Sequence, residues 1–199
     1  MIHSSSMHAK KTENNKLFGL WIYLMSDCIM FAVLFAVYTI IFTSQSNHVF
    51  IKEAFNLSSV FLETCLLLLS SFSCSLIKIA MNKKNIKMIY IFLAITFLLG
   101  FFFLFIEINE FHELILHNYG PYRNSFFSIY FALVGTHGVH IFFGLIFIIS
   151  IFFQIIKLGI TNFIMTRILA LTIFWHFLDI IWICVVVLVY LNGAVQCTV

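Results

Sequence analysis

The sequence predicts an all-α integral membrane bundle of five transmembrane helices, and three observations carry that prediction. Of 199 residues, 62% are hydrophobic and only 10% charged, where a water-soluble domain is nearer half apolar and a quarter charged. Five apolar stretches each reach the roughly 20 residues that a helix rising about 1.5 Å per residue needs to cross hydrocarbon. The Lys and Arg residues collect at the ends of these stretches, mostly on one side.

Residues 1–16, MIHSSSMHAKKTENNK, are a polar tail without the apolar segment of a signal peptide. Insertion is therefore expected through the first span, and residues 17–199 are read as one five-helix domain. The spans are expected near Leu17–Phe42, Leu57–Ala80, Met88–Ile108, Phe126–Ile156 and Arg167–Leu191. With Pro121 the single proline and only 8 glycines, little interrupts the runs. The fourth run is longer than a crossing requires, so its helix is expected to tilt or project. Strands are excluded because membrane sheets must close into barrels of short alternating segments, whereas these runs are continuous. No internal duplication is visible, and an odd number of spans argues against two equal inverted halves.

Orientation follows from the basic residues. Lys10, Lys11, Lys16, Lys78, Lys83, Lys84, Lys87, Lys157 and Arg167 fall on one side, against only Lys52 and Arg123 on the other. The positive-inside rule then puts the N-terminus in the cytoplasm and the C-terminus outside, in the periplasm of a bacterial inner membrane. The net charge of +3 has no basic face behind it, so nucleic acid is not an expected partner. Cys28, Cys65, Cys74, Cys184 and Cys197 contain no CxxC pair, and the first four lie in apolar runs, where they read as small core residues. There is no phosphate loop, nucleophile elbow or soluble catalytic domain. No catalytic or cofactor-binding residue is assigned.

An ionisable side chain inside hydrocarbon costs at least a few kcal/mol on insertion scales, so each needs a partner, a protonated state or a task. Asp27 lies well inside the first span and Glu63 in the second; Glu107, Glu110, His112 and Glu113 close the third. His137 and His140 share one face of the fourth helix, as His176 and Asp179 do on the fifth, each pair being three apart. Both pairs are expected to point into the bundle. Interhelical packing, aided by close approach at Gly135 and Gly138, is preferred to proton relay or metal ligation. His137, His140 and His176 lack an evident fourth ligand or supporting hydrogen bonds, so no metal site is assigned. Trp21, Trp175 and Trp182 read as membrane anchors, and Lys83, Lys84 and Lys87 as topology signals.

Five strings carry a resemblance: WIYLMSDCIMF from Trp21, LETCLLLLSS from Leu62, EINEFHEL from Glu107, FALVGTHGVH from Phe131 and WHFLDIIWICV from Trp175. With them the chain resembles subunit III of the haem–copper oxidases, on the five-helix branch of the cytochrome o (bo-type) ubiquinol oxidases. Many members of the wider family carry Glu where this chain has Asp27, so no chemistry of the longer side chain is transferred. The resemblance implies a non-catalytic subunit of a proton-pumping quinol oxidase of the respiratory chain. Haem and copper would reside in subunit I, subunits I, II and IV would be partners, and phospholipids would occupy a cleft beside Asp27. It also implies polar packing roles for His137, His140, His176 and Asp179, and buried or interfacial carboxylates at Glu63, Glu107 and Glu110. The alternative is an independent proton-coupled transporter, whose broken helices around a central site the spans do not suggest.

Overall fold

The computed structural model describes residues 2–44, 57–83, 85–117, 119–122, 124–159 and 161–191. Its helices are α1 (Ile2–Ser44), α2 (Leu57–Asn82), α3 (Ile86–Leu116), α4 (Ser125–Leu158) and α5 (Asn162–Val185), the last continuing as a π-helical stretch, Val186–Leu191. Each contains a segment long and apolar enough to cross a membrane: Phe18–Thr43, Ser58–Met81, Ile86–Leu116, Ser125–Lys157 and Phe163–Tyr190. The five predicted spans thus fall one to each helix. Lys52, Lys84, Arg123, His48 and Cys197 lie outside the described residues.

Two helices run further than expected. α1 starts at Ile2 and continues unbroken into the span. α3 does not end at Ile108 but runs to Leu116, because no proline or glycine intervenes before Gly120 and Pro121. Glu107 to Glu113 are therefore helical. At 34 residues, or about 51 Å, α4 exceeds the roughly 30 Å of hydrocarbon, as its sequence suggested. Gly159, at φ 65°, ends it in a left-handed conformation that glycine adopts without a Cβ clash.

α2 and α3 form an antiparallel hairpin; α5 packs on α2 and α4, and α4 on α3, closing a four-helix square against which α1 lies along the α4–α5 edge. The core holds Phe31, Phe103, Tyr130, Trp175 and Trp182, all at most 1% exposed. Outward faces carry Phe61, Leu68, Leu69, Phe72, Phe101, Phe102, Phe142 and Phe143, about half or more exposed, a belt suited to lipid or a neighbouring apolar subunit. Within a bilayer such a belt costs nothing, and dispersion contacts and interhelical hydrogen bonds decide which faces turn inward.

Candidate functional site

The polar residues separate into three groups, each at a different helix seam. On the α1–α4 seam, Asp27 Oδ2 lies 3.4 Å from His140 Nε2. His140 Nδ1 is 2.7 Å from the Thr136 carbonyl one turn earlier, a contact in which the ring nitrogen donates, so Nε2 is the nitrogen left to face the carboxyl. Phe31 packs beside the imidazole with ring centroids 5.4 Å apart. Both side chains are only 12–13% exposed, which puts the pair just beneath the bundle surface. His140 thus partners across helices, and the i,i+3 spacing to His137 does not make a pair.

The α2–α5 seam is fastened by hydroxyl groups. Ser71 Oγ and Ser75 Oγ lie 2.7 and 3.1 Å from His176 Nδ1 and Nε2, so one ring nitrogen donates and the other accepts. Asp179 Oδ2 stands 3.9 Å from Nδ1. His176 does not point inward as expected: its side chain is 42% exposed, while that of Asp179 is 8% exposed. Three residues turn a helix by about 300°, so the two share a broad face but differ in depth at its rim. Trp175 and Trp182 are interior residues and not anchors. Their indole N–H groups donate to Ser70 Oγ (2.9 Å) and Thr64 Oγ1 (3.2 Å) on α2, while Trp21 is exposed. Ser70 and Thr64 in turn donate to the carbonyls of Leu67 and Val60.

The third group occupies the square near the end where α3 leads into α4. The Tyr130 and Tyr190 hydroxyls lie 2.8 Å apart and stand 3.4 and 3.5 Å from Glu110 Oε1; with one proton each, one hydroxyl donates to the other, which donates to the carboxyl oxygen. Tyr190 lies in the π-helical stretch, whose wider turn shifts the angular register of the end of α5 relative to an α-helix. Glu63 and Glu107 are buried beside this network, and His112 and Glu113 are exposed on α3. His137 is wholly buried one layer deeper, stacked on Trp182 at 5.2 Å and edge-on to Phe103 at 6.0 Å.

Sequence reasoning missed the α2 hydroxyls Thr64, Ser70, Ser71 and Ser75. Their signal was present, since serine and threonine within a long apolar helix mark interhelical hydrogen bonds. It also missed Gly100 and Gly144, which both lie against the six-membered ring of the Trp175 indole: a Cβ there would stand 3.0 and 2.9 Å from ring carbons. Of the two glycines the sequence singled out, Gly138 is tightly packed and Gly135 has ordinary contact distances.

His137, His140 and His176 thus sit at different seams, and among the described residues no group of three or more His, Cys, Asp and Glu side chains could hold a metal ion. Cys28, Cys65, Cys74 and Cys184 are free thiols. Long apolar helices joined by polar contacts, without a ligand cage in the described region, define a multi-pass helical membrane protein built as a packing unit. The family model for cytochrome c oxidase subunit III matches residues 2–194. The chain belongs to that family, subunit III of the haem–copper oxidases. It is 65% identical over 192 residues, 96% of this chain and 94% of the relative, to a protein of Buchnera aphidicola subsp. Acyrthosiphon pisum described as cytochrome bo(3) ubiquinol oxidase subunit 3. A Pseudomonas aeruginosa protein of the same description is 43% identical, covering 94% of this chain and 90% of the relative. A cytochrome c oxidase subunit 3 of Bacillus sp. (strain PS3) is 33% identical, with coverage of 91% and 87%.

Proposed function

We propose that this chain is the non-catalytic subunit III of a proton-pumping terminal ubiquinol oxidase in a bacterial inner membrane. The observation that carries the reading is its 65% identity, over nearly its whole length, to a protein described as cytochrome bo(3) ubiquinol oxidase subunit 3. Haem and copper belong, in this reading, to the catalytic partner, subunit I; subunits II and IV and membrane phospholipids complete the surroundings. The basic residues favour a cytoplasmic N-terminus and a periplasmic C-terminus. Asp27, on the α1–α4 seam, borders the expected lipid cleft, and the groups around Glu110 and His176 serve to fix helix packing.

The test is to tag the chain at its N-terminus, purify it gently from native membranes and record the haem spectrum, metal content and quinol-dependent oxygen consumption of what accompanies it. Co-purification of a haem–copper complex whose metals stay with the partners after this chain is stripped away supports the reading. A chain that emerges alone, colourless and without oxidase overturns it and favours a transporter. Within the complex, Asp27→Ala, which removes the contact with His140, is expected to weaken the α1–α4 seam by about 0.6 kcal/mol, the average measured for interhelical polar contacts in membranes. It should also shorten the turnover lifetime and lower the retained phospholipid. Unchanged lifetime and lipid content would remove the cleft role from Asp27.

A further inference from the structure

Among the described residues, nine buried side-chain polar atoms have no hydrogen-bond partner in the chain, and six of them belong to three residues: both carboxyl oxygens of Glu63, both of Glu107 and both ring nitrogens of His137. The three residues are 1%, 4% and 0% exposed and come from α2, α3 and α4. Folded proteins seldom leave such atoms unpaired, because each gives up its hydrogen bonds to water on burial and gains none in return. The Glu107 carboxyl lies against the α4 backbone next to His137, where a Cβ on residue 138 would come within 2.6 Å of Oε1 and 2.9 Å of Oε2. Gly138 alone leaves that volume to the carboxyl.

Neighbouring groups have partners of their own. The Trp182 N–H donates to Thr64, and Tyr130 and Tyr190 bond one another and Glu110. The two ion pairs among the described residues lie elsewhere, at Asp27–His140 and His176–Asp179. The carboxyls of Glu63, Glu107 and Glu110 are close enough to feel one another electrostatically, and no metal-holding group is found among the described residues. What would satisfy these atoms is a small molecule that both donates and accepts: the carboxyls require donors, and an imidazole requires one partner of each kind. Water has that chemistry, and buried water typically makes two to four such bonds.

We propose that Glu63, Glu107 and His137 line an internal hydration site, a short file of bound water molecules within the α2–α5 square. It would enter beside Glu110, Tyr130 and Tyr190 and reach inward to His137. The site rests on this chain's own packing and stands whether or not the accessory-subunit reading holds. It gives the hydroxyls, carboxyls and imidazole of four helices a common hydrogen-bonded centre, where direct side-chain pairing leaves six atoms unserved.

The test is X-ray radiolytic labelling, with mass spectrometry, of the protein in whatever form it purifies, complex or single chain. Bound water generates hydroxyl radicals in place, so the rings beside the site report it. Phe103 and Trp182, both at most 1% exposed, should be labelled several-fold more than Phe101 and Phe102, which face outward from the same membrane segment. The double variant Glu63→Leu/Glu107→Leu should lose most of that labelling, and Glu107→Gln, which keeps a polar group, should retain it. Labelling of Phe103 no higher than that of Phe101 in the unsubstituted protein overturns the proposal, and this arm needs no variant to fold. Labelling that survives intact in a folded double-leucine variant overturns it as well.

Discussion

Trp175→Ala is expected to destabilise the chain by about 3 kcal/mol, at the lower end of the roughly 3–5 kcal/mol measured for deleting a large buried aromatic ring. The lower end applies because a bilayer removes the water-transfer contribution and leaves the cavity and its lost dispersion contacts. The ring is 1% exposed, lies against Gly100 and Gly144, and carries the indole N–H that donates to Ser70. Alanine leaves a void against two residues that have no side chain to fill it. Trp175→Phe separates the contributions: it keeps most of the ring but loses the hydrogen bond, for an expected cost of about 1 kcal/mol. Both are measured by denaturant titration of the purified protein in detergent or bicelles. Equal stability of Trp175→Ala and the parent would mean that the indole is not a packing centre.

Gly100→Ala and Gly144→Ala should each destabilise by about 1–3 kcal/mol, the usual cost of forcing a methyl group into a filled core. A Cβ at 100 would stand 3.0 Å from Trp175 Cζ2 and 3.1 Å from Leu145 Cδ2. One at 144 would stand 2.9 Å from Trp175 Cζ3 and 3.2 Å from Phe174 Cε1. Both methyl groups would press on the same six-membered ring of the indole, so the double variant should cost more than either single one. Gly135→Ala is the control, its nearest contact being Phe111 Cε2 at an ordinary 3.8 Å. Alanine is the better helix former by about 0.5–1 kcal/mol, so this substitution should be neutral or stabilising. If all three substitutions gave the same change, close packing around Trp175 would not be what requires glycine at 100 and 144.

The expected spans were legible because hydrocarbon thickness acts on composition alone: a run of about 20 apolar residues needs no knowledge of its neighbours to be recognised. Helix ends were less so. α3 passed Ile108 because a polar residue inside a helix does not stop it, and neither does the membrane interface. Among the polar groups, Asp27, Glu63, Glu107, Glu110, His112, His137, His140, His176 and Asp179 could be singled out, since intramembrane ionisable residues need an explanation wherever they sit. Their pairing was misjudged. Spacing along one helix suggested His137 with His140, whereas the side chain that meets His140 comes from α1 and the two hydroxyls on the His176 ring nitrogens come from α2, with Asp179 standing off at 3.9 Å.

By itself, then, the sequence determined a membrane-embedded helical protein, the approximate place of each crossing and, through its strings of residues, the family. Each of these depends on local composition or on linear order. The tertiary structure alone decided that Asp27 meets His140, that serines of α2 hold His176, that Gly100 and Gly144 pack against Trp175, and that Glu63, Glu107 and His137 are buried without hydrogen-bond partners. Those facts depend on which helix faces meet. In a bilayer an apolar face is at ease against lipid and protein alike, so hydropathy cannot choose between them. Close packing and interhelical hydrogen bonds choose, and they exist only once the helices are side by side.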